Sequence, residues 1–316
     1  MQRYLLRRAV QAIPTLLLVT LVTFSITMLL PGDPALAFLG EAQAMDKVAY
    51  NAMRQELGLD QPIPVQYVLW LNRALHGDLG TSIRTREPVV EAIRNRFPIT
   101  LQLTVVAMAI ALLVALPVGI ISAVRPNSWL DSMGTLLAMS GQAVPSFWFG
   151  IMLIVVFALW LGWLPPSGYT SPTVSLQTNL SMMLLPALAL GVEQAAVVMR
   201  QVRSALIDVL HQEYVTTAWA KGLSERAVVN RHALKNALIP VVTIIGLQTG
   251  RLFGGAVVVE TIFAMPGLGR LAADSIFFRD FPSLQGVVLV LALAVFFSNL
   301  MTDALYSYLD PRIRYA

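Results

Sequence analysis

Few side chains in this sequence could do chemistry. Its three histidines, His76, His211 and His232, are far apart in the chain, and there is no cysteine. Disulfides and thiolate metal sites are therefore excluded. The residues after His211 do not complete a zinc-binding His-Glu-x-x-His, which needs two histidines on one helical face. We therefore predict no metal site and no catalytic residue.

Two further enzyme motifs are incomplete. The segment around Ser140 differs by one residue from the Gly-x-Ser-Gly turn of intramembrane serine proteases, and no histidine lies in a later apolar run to act as the base. The chain also lacks the Gly-x-x-x-x-Gly-Lys-Ser/Thr loop that binds nucleotide phosphates. We therefore expect that the chain is not an enzyme and that it binds no cofactor of its own.

Three charged residues, Glu193, Arg251 and Glu260, lie within long apolar runs. A charge at mid-bilayer costs about 2.5 to 3.5 kcal/mol, so such side chains usually face protein, water or a partner. One hypothesis is that Glu193, Gln194, Gln248 and Arg251 line a transport path and meet charged groups of a substrate. The alternative, which we favour, is that these polar side chains form hydrogen bonds between neighbouring helices.

The composition shows which elements must hold these residues. The 316 residues are 56% hydrophobic and 13% charged, as in a membrane protein. Six apolar runs reach the roughly 20 residues that a spanning helix needs, and a backbone in lipid must bond within a helix or a closed barrel. We therefore predict an all-α polytopic membrane protein, a single domain over 1–316, with transmembrane helices at 9–31, 99–124, 135–161, 181–207, 237–259 and 286–306.

The first run is a membrane helix and not a cleaved signal peptide. It extends from 9 to 31, whereas the apolar core of a signal has roughly 7 to 15 residues. Basic residues concentrate before this run and in the even-numbered loops, while the short loops of the opposite side hold only Arg270 and Arg279. The long loop 32–98 is also basic, but loops of that length are translocated largely regardless of charge. Both termini are therefore predicted to be cytoplasmic, and the net charge of +4 gives no reason to expect nucleic acid as a partner.

Glycine and proline predict an ordered outer loop at 32–98. Asp46 can cap a helix that Gly58 ends, Pro62 precedes a second helix, and Pro88 suits the first turn of a third. Pro98 is expected to break the chain before the second span. This loop therefore resembles a small helical cap, which could pack on the membrane domain or meet a soluble partner.

Other prolines and glycines lie within the apolar runs and in the loops that connect them. Pro117, Pro145 and Pro186 predict helix kinks. The loop at 162–180 is predicted to be irregular. The turn at 265–269, with the apolar stretch to Phe278, could form a short re-entrant element.

The most informative segment is the cytoplasmic loop at about 208–236. Its sequence predicts a helix, a break at Gly222, where a positive φ is easily adopted, and a second helix capped by Ser224. Five apolar positions in this hairpin are compatible with docking: Ala218, Leu223, Ala227, Val228 and Ala233. From the residues alone, it is an amphipathic hairpin that could simply rest on lipid headgroups.

This segment resembles the coupling loop, or EAA loop, of the permeases of ATP-binding-cassette importers, in their dipeptide and oligopeptide branch. The match includes the ten residues to which the resemblance assigns ATPase coupling: Tyr214, Thr217, Ala218, Ala220, Lys221, Gly222, Leu223, Ser224, Arg231 and His232. It continues through Asn236 to Pro240, which falls later than in the loop of sugar-importing relatives. Motifs of the same branch recur in order along the chain, at 30–34, 57–62, 77–82, 161–165, 266–270 and 310–314.

The resemblance implies a function and a set of partners. Two permease subunits, here two different chains, would form the path in a bacterial inner membrane, and two ATPase subunits would bind ATP and Mg at the cytoplasmic loops. A soluble extracytoplasmic protein would deliver the substrate. The branch includes importers of dipeptides, longer peptides, glutathione, nickel complexes and sugars, and of these we predict peptides. An ion-driven secondary transporter is the remaining alternative, but such a protein has no need of a hairpin shaped for an ATPase.

Overall fold

The computed structural model describes residues 2–29, 33–39, 46–56 and 58–309. Within these ranges the chain is helical, apart from turns and one isolated antiparallel bridge between Thr81 and Pro88. It divides into two compact units. The first comprises 101–265 with the described parts of 1–7 and 295–316, and the second comprises 8–100 with 266–294.

The helices are numbered here in chain order. They are α1 (Gln2–Leu29), α2 (Pro34–Leu39), α3 (Lys47–Glu56), α4 (Ile63–Leu75), α5 (Val89–Val124), α6 (Trp129–Ala143), α7 (Ser146–Leu153, continued by a π-helix at Ile154–Trp160), α8 (Leu176–Leu210), α9 (Glu213–Ala220), α10 (Glu225–Ala227, continued by a π-helix at Val228–Ala233), α11 (Leu234–Ile262), α12 (Leu268–Phe277) and α13 (Phe281–Leu309).

The all-α membrane architecture predicted from the sequence is confirmed. Four helical segments are long and apolar enough to cross a bilayer, at Val89–Val124, Leu176–Leu210, Glu225–Ile262 and Phe281–Leu305. The pair α6 and α7 gives a fifth span if its two bent halves cross together. Helix α1 has a shorter apolar segment, Ile13–Ser25, so the count of six spans stays a prediction.

The predicted third span is not one straight helix. The helix axes of Trp129–Ala143 and Ser146–Trp160 differ in direction by 101°. Val144, between them, has extended backbone angles, as expected for a residue before proline, because Pro145 disfavours the helical region there. The kink predicted at Pro145 is thus confirmed and is larger than an ordinary bend. Pro117 and Pro186 lie within helices that continue past them.

Pro98 does not break the chain, contrary to the sequence prediction. Helix α5 begins directly after Pro88 and continues for 36 residues, so the predicted third loop helix and the second span are one element. A proline removes the hydrogen bond to the carbonyl four residues earlier, but both Pro98 and Arg94 are exposed, and water can serve that carbonyl. Meanwhile Ile99 and Thr100 beyond the proline are buried, so packing holds the helix together.

The second unit contains the turns that the sequence predicted. The carboxylate of Asp46 accepts a hydrogen bond from the backbone N–H of Val48 at 2.9 Å, at the start of α3. Gly58, after the end of α3, has a φ of +69°. Helix α12 begins where the Leu268 N–H donates to the hydroxyl of Thr100 at 2.8 Å. The loop that was expected to be re-entrant therefore contains a short packed helix, and its depth in the membrane stays a prediction.

Candidate functional site

A tight glycine turn forms the tip of the hairpin between α8 and α11. Helix α9 ends at Ala220 with Lys221 as its C-cap, and the N–H of Gly222 donates to the carbonyl of Trp219 at 2.9 Å. Gly222 has a φ of +76°, and a Cβ built there would meet nothing within 4 Å. Glycine is therefore required at this position by the backbone angle and not by crowding from neighbouring atoms.

Ser224 occupies the position before α10 that the sequence predicted, but its hydroxyl makes no capping hydrogen bond. The backbone carbonyl of Ser224 instead accepts from Val228 at 3.0 Å. Residues 224–226 are exposed, so water can satisfy the first N–H groups of this turn. The helix–glycine–helix order is thus confirmed, whereas the side-chain cap is wrong.

Much of the apolar surface predicted for docking is folded inward. Val215, Ala218 and Val228 form a buried cluster, against which Val209 and Leu210 pack. Ala233 is also fully buried. Ala218 and Val228 therefore pack the hairpin's two arms together, and these two residues and Ala233 are too buried to serve as a docking surface.

The exposed residues of the hairpin form its tip and one side of α9. Tyr214 and Trp219 are each 43% exposed, and Leu223 is 38% exposed. Seven other residues share this exposure: Thr217, Ala220, Lys221, Gly222, Ser224, Arg231 and His232. Sequence comparison missed Trp219, because it falls at a position that the family pattern leaves open. The exposed surface of the hairpin thus presents two aromatic rings, one at the start of α9 and one at the tip, and such rings are enriched at protein interfaces.

Tyr214 fixes the geometry of the hairpin. Its hydroxyl accepts a hydrogen bond from the Asn236 amide at 2.8 Å and donates to the carbonyl of His232 at 3.4 Å. These bonds join α9 to the start of α11 across 22 residues of sequence. Two residues of the family pattern, Tyr214 and Asn236, therefore set the angle at which the tip is presented.

A bidentate ion pair supports the membrane helix that leads into the hairpin. Arg203, near the end of α8, donates from Nε and Nη2 to the two carboxylate oxygens of Asp131 at 2.6 and 2.8 Å. The Asn127 N–H also donates to Asp131, at 2.9 Å. This pair was not predicted, because its members are 72 residues apart in the chain.

The four candidate path residues separate into two kinds. Gln194 and Gln248 are 5% and 3% exposed, and the Gln248 amide donates to the Gln194 carbonyl oxygen at 2.7 Å. This bond joins α8 to α11, as the interhelical hypothesis predicts. These two amides therefore lie between helices of one chain and not on an open surface.

Glu193 and Arg251 are exposed, next to that buried pair. In the described part of the chain, neither side chain has a hydrogen-bond or ion-pair partner. Glu260, the third charge of the apolar runs, is fully buried and does interact with a neighbouring group. Glu193 and Arg251 thus require polar surroundings that the described chain does not supply.

Apolar spans, a bent helix pair and an ordered hairpin with an exposed tip define a polytopic helical membrane protein. Residues 1–104 match the N-terminal model of the binding-protein-dependent transport system membrane components, and residues 115–315 match the inner membrane component model. The chain belongs to this family of binding-protein-dependent transport system inner membrane components. The family resemblance seen in the sequence is confirmed.

Relatives of known role align along the entire chain. The dipeptide transport system permease protein DppB of Alkalihalophilus pseudofirmus is 41% identical, and the glutathione transport system permease protein GsiC of Pectobacterium atrosepticum is 45% identical, each over 100% of both chains. Among solved structures, an inward-facing form of the MetNI methionine ABC transporter aligns with a TM-score of 0.59 at 17% identity. That alignment covers 69% of this chain and 96% of the other, and it supports the fold alone.

Proposed function

We propose that this chain is the membrane permease of an ATP-driven peptide importer and that its hairpin receives force from an ATPase subunit. The observation that carries the proposal is the exposed tip at Trp219–Leu223, held rigid by an inward-facing core and by Tyr214. A rigid hairpin transmits displacement to α8 and α11, which it joins directly. A loop that merely rested on lipid would need neither the core nor the hydrogen bonds.

The energy for transport comes from partner ATPase subunits. The chain has no loop for nucleotide phosphates, so ATP and Mg are bound by two separate ATPase subunits and this chain is not an enzyme. Its other partners are a second, different permease chain and an extracytoplasmic substrate-binding protein. Both termini are cytoplasmic, which puts the hairpin on the side where ATP is available.

The transport path follows the exposed polar face of α8 and α11. Glu193 and Arg251 have opposite charges and no ion-pair partner among the residues that the structure describes, and a water-filled path between two permease subunits would hydrate both. A peptide carries a cation and an anion at its ends, so each charge can meet one end as it passes. Gln194 and Gln248, which are buried and hydrogen-bonded to each other, join the two helices next to these charges.

Uptake measurements test the path. Arg251→Gln and Glu193→Gln should each lower peptide uptake severalfold while the amount of assembled transporter is unchanged. Gln248→Leu, by contrast, should lower the amount of folded protein, because it leaves the Gln194 amide unpaired. Wild-type uptake rates in both charge variants would exclude these residues from the path.

Copurification tests the ATPase role. Tagged wild-type chain should retain ATPase subunits, and Gly222→Val, which cannot easily adopt a φ of +76°, should lose them. Gly162→Val is the matched control, because Gly162 has a φ of +64° and equally open surroundings in another loop. Equal loss in both variants, or no ATPase with the wild type, would overturn the proposal and favour an ion-driven transporter.

The same uptake assays identify the cargo. The relatives named for dipeptide and glutathione transport support peptides of a few residues. Uptake of labelled dipeptide, tripeptide and glutathione should exceed uptake of nickel chelates or sugars in cells with the complete transporter. The reverse order would assign one of the other cargoes of this branch.

A further inference from the structure

The second unit contains a cavity of about 770 Å³. Its apolar floor includes Phe24, Trp70 and Phe281, which are all buried, and the rings of Phe24 and Trp70 lie with centroids 6.1 Å apart. Small-molecule sites typically have volumes of roughly 300 to 1,000 Å³ and largely apolar walls. The cavity therefore has the size and floor of a ligand site.

Two motifs of the outer loop meet at the rim of this cavity. Residues 58–61 line one side and residues 78–81 line another, although the segments are separated by helix α4. Part of each motif is needed for the turns, since Gly58 and Gly80 have positive φ and Asp78 accepts from the Gly80 N–H at 2.8 Å. The Asp60 carboxylate has no such task, because within the described chain its hydrogen-bond partner is the adjacent Gln61 side chain.

The rim also presents a cation, Arg73. The Arg73 side chain is exposed at the cavity, and in the part of the chain that the structure describes it has no hydrogen-bond or ion-pair partner. Gln55, Gln66 and Asn72 also line the cavity, and the Gln66 amide donates to the carbonyl of Gln61 at 2.8 Å. The rim thus offers an anion, a cation and several amides above an aromatic floor.

That combination matches the chemistry of a short peptide with free ends. A guanidinium binds a terminal carboxylate through two parallel hydrogen bonds, and a carboxylate binds a terminal ammonium. Side-chain amides both donate to and accept from peptide groups. Apolar side chains of the peptide gain by burial against Trp70 and Phe281.

We propose that this cavity binds a peptide of two or three residues, with Arg73 at its carboxylate and Asp60 at its ammonium. The proposal rests on the proposed function in one respect, namely that peptides are the cargo. It adds a binding site in the permease itself, separate from the path along α8 and α11. The permease would then hold cargo by its own outer loop.

Photolabelling tests the site directly. The full chain in lipid nanodiscs, with no binding protein, is exposed to a dipeptide that contains benzoyl-phenylalanine, and the labelled segments are identified by mass spectrometry. Label should be found in 58–83 or 281–285 and should be displaced by excess unlabelled dipeptide. Arg73→Gln and Asp60→Asn should each lower it at least fivefold, whereas Arg94→Gln and Glu91→Gln, exposed residues outside the cavity, should not.

Two results would overturn the site. Label outside these segments, or label that the rim variants leave unchanged, would mean that peptide does not bind there. Label that excess dipeptide cannot displace, but that changing the nanodisc lipid removes, would assign the cavity to lipid. Peptide uptake by cells that contain the complete wild-type transporter is measured in parallel. If these cells take up peptide but the cavity is not labelled, the cavity site alone is rejected. If these cells take up no peptide, the peptide function is rejected.

Discussion

The guanidinium of Arg203 donates two hydrogen bonds, of 2.6 and 2.8 Å, to the carboxylate of Asp131. Asp131 lies in the first turn of α6, and Arg203 lies two turns before the end of α8, which leads into the hairpin. The Asp131 side chain is 5% exposed and that of Arg203 is 30% exposed. The pair therefore anchors the C-terminal half of α8 against α6.

Removing one member of this pair should destabilise the first unit. Asp131→Ala removes both hydrogen bonds to the Arg203 guanidinium and should lower the free energy of unfolding by about 1.5 to 3 kcal/mol, the range for hydrogen bonds to a charged group. SDS-induced unfolding in mixed micelles measures the change. Arg203→Ala and the double variant complete the cycle, and additive losses would show that the two side chains act independently.

The contact of Gly246 with Thr302 predicts a second stability effect. A Cβ at Gly246 would lie 1.9 Å from the Thr302 hydroxyl oxygen and 2.5 Å from its Cβ, so α11 and α13 cannot approach this closely with alanine there. Gly246→Ala should cost about 1 to 3 kcal/mol, the usual price of overpacking. Gly254→Ala in the same helix meets nothing within 4 Å and should be neutral or slightly stabilising.

Tyr214 offers a test of hairpin geometry in which the aromatic ring is kept. Tyr214→Phe keeps the ring but removes the hydroxyl that joins Asn236 and His232. Because such bonds contribute about 0.5 to 1.5 kcal/mol, the affinity for the ATPase should fall about two- to tenfold. Titration of purified ATPase onto the reconstituted permease measures this, and an affinity equal to wild type would show that the hydroxyl does not hold the tip.

Orientation can be measured readily because the chain has no cysteine. Val174 is 79% exposed in the loop before α8, and Lys221 is exposed at the hairpin. In intact cells, a membrane-impermeant maleimide should label Val174→Cys and leave Lys221→Cys unlabelled until the cells are opened. Labelling of the hairpin cysteine in intact cells would invert the predicted topology.

The sequence predicted local features best. The positive φ values at Gly58 and Gly222 follow from glycine next to helix-ending residues, so a window of a few residues was enough to predict both turns. Pro98 and Pro145 show that a window of a few residues cannot predict every helix break. Pro145 breaks its helix and Pro98 does not, because burial at Ile99 and Thr100 holds α5 together beyond Pro98.

Contacts between distant segments could not be predicted from spacing. Asp131 and Arg203 are 72 residues apart, and Gln194 and Gln248 are 54 residues apart. Each pair depends on which helices lie side by side, which hydrophobic periodicity does not specify. For the same reason, the sequence could not show that Ala218, Val228 and Ala233 face inward, since an apolar face of a hairpin suits either its own core or a partner.

Cross-linking from the hairpin tests the ATPase contact most directly. Ala220 is exposed beside the glycine turn, whereas Ala218, two residues earlier, is 6% exposed within the hairpin core. In membranes that contain the complete transporter, Ala220→Cys with a short cysteine-to-lysine cross-linker should yield a product that contains this chain and an ATPase subunit, and Ala218→Cys should yield little. Absence of that product from Ala220→Cys, in a transporter that still imports peptide, would contradict the assignment of the hairpin as the coupling site.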